Sequence, residues 1–394
     1  MYLFSGSRPT DQRRQGTLVA LRTLRPRLFL WIASVTLLTT VATVCGSSQD
    51  PAAAPMARLT PEQKTARGIQ KLQSWYDQTT GLYQTTGWWN SANALTTLAD
   101  YSRVTGSHQY DKVFPNTFSA AQITSAGFLN NYYDDEGWWA LAWIDVYDLA
   151  GEMRYLQMSE SIFDDMSDGW DTTCSGGIWW SKDRKYKNAI ANELFLSVAA
   201  NLAIRAKENK QRARYLKWAK HEWQWFRKSG MINQDHLVND GLDAHCANNH
   251  GNTWTYNQGV ILGGLTALSA TDHDADLLRQ AQLIAEATLS SRTLTDAKGI
   301  LHDTCEPDCG ADGSQFKGIF VRNLGLLYRV APQKEFRTFI VANAEEIMNG
   351  MESPDYTIGV RWTAPHGVVN ASTQSSGEDA LVTALMVQGR PVLP

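Results

Sequence analysis

The sequence has little of what most enzyme chemistries require. It has no glycine-rich phosphate loop and no dinucleotide fingerprint, which removes the commonest nucleotide-binding designs. Its eight histidines are scattered. His245 and His250 stand near one another, but no serine or cysteine nucleophile pattern accompanies them. Cysteine is scarce. After Cys45 only Cys174, Cys246, Cys305 and Cys309 remain, and no histidine spacing around them completes a zinc set. Neither a metal nor another cofactor is therefore expected. Runs of alternating polar and apolar residues, the mark of half-buried strands, are also lacking. Nor is there a basic excess: the formal net charge is −4, which argues against nucleic acid as a partner.

What is present divides into a leader and a body. Residues 1–27 hold six arginines and one acid, Asp11, and Leu28 to Val44 follow without a charge. A positive stretch before an apolar one is the pattern of an export signal, and seventeen residues is also near the lower limit for a membrane span. Residues 1–45 are thus expected to be a signal peptide or an N-terminal membrane tether. Ala42-Thr43-Val44-Cys45 resembles a lipoprotein box only weakly, because of Val44. Removing six arginines and Asp11 takes the charge from −4 to −9, so the mature body is more acidic still. An even set of four cysteines suits an oxidising compartment, and four cysteines allow three pairings, among which spacing does not choose. Residues 46–59, with Ala52-Ala53-Ala54-Pro55, read as a linker. Residues 60–394 then form the catalytic domain, expected to act as a monomer.

Within the body one unit recurs six times. An amphipathic, charged helix leads into a loop rich in glycine and aromatics, and a helix of small and apolar residues follows. The first helices fall near 60–77, 108–123, 153–167, 211–228, 274–291 and 334–349. The second fall near 92–104, 138–150, 188–204, 255–268, 318–328 and 378–386. In the fourth unit Leu216, Ala219, Trp223 and Phe226 share one face among Lys217, Lys220, Arg227 and Lys228. The second helices are nearly free of charge, as in Ala189 to Ala203 with only Glu193. Helices apolar all round are buried. Six buried helices ringed by six half-exposed ones describe an all-α fold, an (α/α)6 barrel. An open solenoid is the alternative, but neither end carries a polar capping unit. In a closed ring all six linking loops converge at one end.

The loop that organises the rest is Asn130-Asn131-Tyr132-Tyr133-Asp134-Asp135-Glu136-Gly137-Trp138-Trp139. An Asp-Asp pair before a helix is ordinarily a cap. Here it converges with loops carrying Trp88, Trp89, Asn90, Trp179, Trp180, Asp240, Tyr256, Asn257 and Gln315. Rings that stack on sugar faces, with amides and acids that take hydroxyls, are what a carbohydrate cleft needs. Glycoside hydrolysis requires two carboxyl groups, one to protonate the leaving oxygen and one to attack or to activate water. Asp134 and Asp135 project in different directions, so together they can flank one bond. Tryptophan and tyrosine around them would help one to keep its proton. Asp164-Asp165 reads as a solvated face, and the acids Asp303, Glu306 and Asp308 as parts of a structured loop around Cys305 and Cys309.

The stretch Tyr132 to Trp143 closely resembles the signature of glycoside hydrolase family 76, the endo-α-1,6-mannanases. The resemblance continues through Gly169-Trp170-Asp171, Gly176-Gly177-Ile178-Trp179-Trp180, Lys187 to Leu194, Thr255-Tyr256-Asn257-Gln258-Gly259 and Gln315-Phe316-Lys317-Gly318. It covers roughly residues 65–390. The resemblance implies an (α/α)6 barrel that cleaves α-1,6-linked mannan with retention of configuration, with Asp134 as nucleophile and Asp135 as acid/base. Tyr133 and Trp139 of the organising stretch, and Asn192, complete the candidate substrate-binding residues. The expected partner is an α-mannan polysaccharide or oligosaccharide. Some members of the family are cell-wall transglycosylases carried on a C-terminal lipid anchor. This chain ends Val387-Gln388-Gly389-Arg390-Pro391-Val392-Leu393-Pro394, with no apolar tail, which favours the degradative branch. The rivals are a transglycosylase, a silent carbohydrate-binding protein, and an epimerase or unsaturated-uronide hydrolase on the same barrel. The protein is expected to be exported, whether released or tethered through residues 28–44.

Overall fold

The computed structural model describes residues 59–352 and 354–389. The leader and nearly all of the expected linker lie outside these residues. Among them are twelve α-helices: α1 (Pro61–Gln73), α2 (Trp88–Thr105), α3 (Val113–Ala120), α4 (Tyr133–Ala150), α5 (Met153–Ser167), α6 (Ala189–Arg205), α7 (Asn209–Phe226), α8 (Thr255–Asp272), α9 (Ala275–Ser290), α10 (Phe316–Val330), α11 (Lys334–Gly350) and α12 (Ala371–Val387). The odd-numbered helices are the amphipathic ones of the repeat and the even-numbered ones are its charge-poor partners.

The chain enters as its sequence dictates. The Thr60 hydroxyl accepts the Gln63 amide at 3.3 Å, and the Gln63 side chain accepts the Thr60 amide at 2.9 Å, so a capping box with proline at the first position starts α1. After α1 a two-stranded pair, β1 (Tyr76–Asp77) and β2 (Leu82–Tyr83), turns the chain toward α2. This short hairpin is not anticipated by the sequence pattern, since two residues per strand leave no alternation to read.

The even helices pack as a ring: α2 on α4, α4 on α6, α6 on α8, α8 on α10, α10 on α12, and α12 back on α2. The last contact closes the barrel and rules out a solenoid. Hydrogen bonds seal it. Asp379 on α12 accepts from Thr97 on α2 at 2.7 Å and from Arg322 on α10 at 3.0 Å, and Arg322 also donates to Asn93 on α2 at 2.7 Å. Close approach needs glycine at two points. A Cβ on Gly259 of α8 would lie 2.6 Å from the Phe320 Cα of α10, and one on Gly318 of α10 would collide with the Ser376 backbone of α12. Most of the large apolar residues of the ring belong to one continuous core.

Four inner helices start earlier than the pattern suggests. α2 begins at Trp88, α4 at Tyr133, α10 at Phe316 and α12 at Ala371. α12 is the largest difference. Its run Ser372-Thr373-Gln374-Ser375-Ser376 reads as loop, yet all five residues are buried. Each has a specific polar neighbour. Ser375 accepts from Gln315 at 2.6 Å, Ser376 accepts from the Gly318 amide at 2.9 Å, and Gln374 accepts from the Ile358 amide at 2.9 Å. Helical residues that satisfy their polar groups sideways carry no apolar signature. The fold thus places the first turns of the inner helices, rather than loops, at the common end of the ring.

Candidate active site

Asp134, Asp135 and Glu136 lie in the first turn of α4, behind Tyr132 as the N-cap. Tyr132 makes no side-chain cap bond, so neither aspartate is the capping residue, although both stand in the first turn, where the helix dipole favours acids. Successive residues on a helix diverge by about 100°, so the three carboxyls point three ways.

The third linking segment lies across the start of α4. The Tyr133 amide donates to the Trp180 carbonyl at 2.9 Å, and the Lys182 amide donates to the Asn131 carbonyl at 2.9 Å. That placement brings the Trp180 indole N–H to Asp134 Oδ2 at 2.9 Å. The other oxygen, Oδ1, is buried and has no partner. Asp135 Oδ2 accepts from Asn130 Nδ2 at 2.6 Å, while Asn130 Oδ1 accepts the Tyr132 amide at 2.7 Å. Asn130 therefore holds Asp135 and the helix start together. Glu136 faces inward, wholly buried, and accepts from Lys182 Nζ at 2.8 Å and from the Asn130 amide at 3.0 Å. Lys182 also reaches Asp165 at 2.8 Å. Asp165 is thus part of this support rather than a solvated face, which corrects the sequence expectation.

Burial is the main influence on all three acids. It raises Asp134 well above the usual carboxylate range; the charge of Asp135 adds to this, and the Trp180 hydrogen bond opposes it. Burial also pushes Asp135 up to about 6, against the Asn130 hydrogen bond and with help from the charge of Asp312. Glu136 is pushed up to about 8 by burial, with the Lys182 hydrogen bond opposing. Two neighbouring carboxyls in a desolvated place share a proton rather than ionise together. The Asp134–Asp135 pair therefore keeps one proton into the neutral range.

Aromatics form one wall. Trp138, one turn below Asp134, stacks on Trp89 at 5.6 Å and faces Tyr256 at 6.4 Å. Tyr256 stacks on Phe316 at 3.7 Å, and Trp254 meets Phe316 edge-on at 5.7 Å. Trp89 donates its indole N–H to Asp312 Oδ1 at 3.0 Å. On the other side Asp240 accepts from the Tyr186 hydroxyl at 2.5 Å, and Asn249 donates to that same hydroxyl at 2.9 Å. Burial raises Asp240, opposed by hydrogen bonds from Tyr186 and Trp254.

The sequence candidates divide accordingly. Asp134, Asp135, Trp89, Trp180, Asp240 and Tyr256 gather at this end with surface to offer. Tyr133 and Trp139 do not: Tyr133 is buried, and Trp139 is enclosed by Trp88, Phe128 and Trp143. Trp88 leans on that same core, with its indole N–H unpartnered. Asn90 and Gln315 are buried and bonded to each other at 3.0 Å, and Asn192 is buried on the Ile178 backbone at 2.7 and 3.0 Å. These three amides brace the helix starts. Asn257 is buried with neither amide atom bonded. Lys182 and Asp312 are members that sequence reasoning missed, while Asn130 and Phe316 stand in stretches it named without giving them a role of their own. A polar residue in a loop gives no signal of which distant side chain it meets.

A separate cavity of about 260 Å³ opens at the other end of the ring and reaches the underside of Trp138. Its charges match one another, Arg103 with Asp100 and with Asp145 at 3.5 Å, and Arg205 with Asp148. It offers no unpaired acid set.

With this geometry in view, the comparisons are decisive about kinship. The sequence profile of Glycosyl hydrolase family 76 matches residues 62–393. The chain belongs to that family. It is a glycoside hydrolase built as an (α/α)6 barrel. Among its relatives is the mannan endo-1,6-alpha-mannosidase DCW1 of Candida albicans, 27% identical over 313 residues, which are 70% of this chain and 67% of that one. Another is DFG5 of the same yeast, a mannan endo-1,6-alpha-mannosidase 26% identical over 79% of this chain and 75% of its own. A putative mannan endo-1,6-alpha-mannosidase of Schizosaccharomyces pombe is 25% identical over 65% of this chain and 62% of its own length. Among solved structures, an inactive variant of a Salegentibacter α-1,6-mannanase, with two consecutive aspartates replaced by asparagine, holds α-1,6-mannotriose. It superposes with a TM-score of 0.75 at 23% identity, over 83% of this chain and 100% of that one. At that identity the likeness speaks for the fold.

Proposed function

We propose that this family 76 enzyme is an exported, retaining endo-α-1,6-mannanase with Asp134 as nucleophile and Asp135 as acid/base. The observation that carries the reading is the pair itself, two consecutive acids in the first turn of α4 with separate polar partners beside an aromatic wall. The relatives that bear the mannosidase name supply the sugar and the linkage.

Burial raises Asp134 further than Asp135, so the resting pair holds its proton more firmly on Asp134; the reacting form is the one with that proton on Asp135. The Asp134 carboxylate attacks the anomeric carbon as the glycosidic bond breaks, and Asp135 gives its proton to the leaving oxygen. In the second step Asp135 takes a proton from water, the water oxygen attacks the anomeric carbon, and Asp134 departs. The Trp180 N–H on Oδ2 steadies the negative charge of Asp134 before and after. Trp89 and the Tyr256–Phe316 stack supply faces for sugar rings, while Asp240, anchored by Tyr186, accepts from a hydroxyl. Export is supported by two disulfides, Cys174–Cys246 and Cys305–Cys309, and by the leader pattern of residues 1–45. Among the described residues no helix is long and apolar enough to cross a membrane.

The test is incubation with unbranched α-1,6-mannan, following product size and, by NMR, the anomer first released. Early mixed short oligosaccharides released as the α-anomer are expected. Release of the β-anomer would overturn retention. Products longer than the donor would identify a transglycosylase, and binding without cleavage a carbohydrate-binding protein.

A further inference from the structure

One charged group at the cleft has no part in the two-acid scheme. Asp312 lies three residues after the small loop that Cys305–Cys309 closes and three before the buried Gln315. Hydrogen bonds tie the turn: the Gly313 amide donates to the Cys309 carbonyl at 3.1 Å, and Ser314 Oγ donates to the Gly310 carbonyl at 2.6 Å. A Cβ on Gly313 would lie 3.0 Å from Cys305 Sγ and from Cys309 Cβ, so the disulfide packs directly beneath the turn. From there Asp312 reaches across the ring to the Trp89 indole at 3.0 Å. Trp89 stacks on Trp138, which sits four residues after Asp134 and three after Asp135 on the same helix. Asp312, Trp89 and Trp138 therefore touch in series, from the loop before α10 through α2 to α4, and Trp138 stands one turn from the acid pair on α4.

We propose that Asp312 is a positioning residue for the reaction proposed above: it fixes the Trp89 platform and keeps a negative charge beside Asp135. Two separable effects follow. The hydrogen bond sets the angle of a ring on which sugar stacks. The charge strengthens the hold of Asp135 on the proton it must deliver, in the same sense as the Asp312 contribution to the raised Asp135. The other groups facing Asp135 are Asp134 on its own helix and the neutral Asn130 before it. Lys182 is engaged by Glu136 and Asp165 instead. Tyr256 on α8 stands between Asp134, Asp240 and Asp312 and, with burial holding its proton, is neutral. Asp312 is thus the removable charge that acts on Asp135 without being one of the reacting pair.

Asp312→Asn separates the two effects, because an amide oxygen still accepts from the indole. The full-length chain would be compared with this variant and with Asp312→Ala by the pH profile of kcat/KM on α-1,6-mannan at low and high salt. Asp312→Asn is expected to move the basic limb down by roughly 0.3 to 1 pH unit with KM little changed. The shift should shrink at high salt, because the partner charge is exposed. Asp312→Ala is expected to show the same shift and also a KM raised several-fold. The same variants would be titrated by carbon NMR of the aspartate carboxyls, with Asp135 assigned by Asp135→Asn. This reading needs no substrate, so failure to cleave mannan would count against the proposed activity while leaving the Asp312 test intact. An Asp135 midpoint unmoved in Asp312→Asn overturns the charge role, and an unchanged KM in Asp312→Ala overturns the platform role.

Discussion

At the scale of single residues, the site is governed by which oxygen has a partner. Asp134 has one oxygen on the Trp180 indole and one with none. Hydrogen bonds to a charged acceptor are worth about 1.5–3 kcal/mol, and this one favours the ionised form that attacks. Trp180→Phe keeps a ring against Tyr132, which stands 5.0 Å away, but removes the donor. We expect kcat to fall by roughly 10- to 100-fold with KM changed much less. The pH profile gives the sign independently. The Trp180 hydrogen bond lowers Asp134, so its loss raises Asp134 further, and the acidic limb should move to higher pH. A variant with an unmoved limb and wild-type kcat would show that the indole only fills space. The acid pair stood out in the sequence because aromatics flank it, and Trp180 because it belongs to a tryptophan doublet in another linking segment. The hydrogen bond between them was not, since it joins residues 46 positions apart. The same holds for Trp139, which a tryptophan doublet suggested for sugar contact and which the fold encloses.

At the scale of elements, the inner helices had to solve two problems at once. They must pack side by side in a ring, and their first turns must carry polar side chains. The first requirement was legible as six charge-poor windows. The second hid the helix starts, because Trp88-Trp89-Asn90, Tyr133-Asp134-Asp135 and Ser372 to Ser376 look like loop while being helical. Their polar groups are satisfied across the ring, as in Asn90 with Gln315 and Gln315 with Ser375. Glycine makes this side-on packing possible. In Gly318→Ala the new methyl meets Ser376 backbone atoms, which cannot swing aside as a side chain would. α10 and α12 must then separate, and the Gly318 amide loses its 2.9 Å bond to Ser376. Overpacking of this kind costs about 1–3 kcal/mol. The expected result is a lower midpoint in denaturant unfolding with an unchanged slope. Activity should fall too, because Phe316 of the aromatic wall lies two residues away. A midpoint equal to that of the wild type would mean the ring is slacker than its contacts imply.

For the whole molecule, closure has a cost that pH can expose. The covalent links are few: one disulfide ties the third linking segment to the fourth, and the other closes only the small loop before Asp312. Stability rests on the packed ring, and that packing encloses, besides Glu136 at the site, three further glutamates, Glu193, Glu222 and Glu378. Glu193 and Glu222 have no hydrogen bond on either oxygen, and Glu378 has one on a single oxygen. Burial raises all three well above the usual range. Raised acids contribute stability that is fully present below the unfolded value and is lost as pH climbs through the folded one. The protein should therefore be most heat-stable in mild acid and lose stability steadily on going from neutral to alkaline. Asp171 works in the opposite sense but outside this window. Although burial opposes it, Lys187 at 2.9 Å and the Trp179 indole bring Asp171 down to about 2, so its contribution disappears only in strong acid. Glu222 is the place to test this, because it lies on outer helix α7 and has no role in the two-acid scheme. Glu222→Gln keeps the shape and cannot ionise. Its melting temperature should match the wild type at pH 5 and exceed it by roughly 2–4 °C at pH 9, about the shift that 1 kcal/mol produces in a domain of this size or somewhat smaller. Parallel curves across that range would place the alkaline loss elsewhere, on Glu193 and Glu378 at the inner helices themselves.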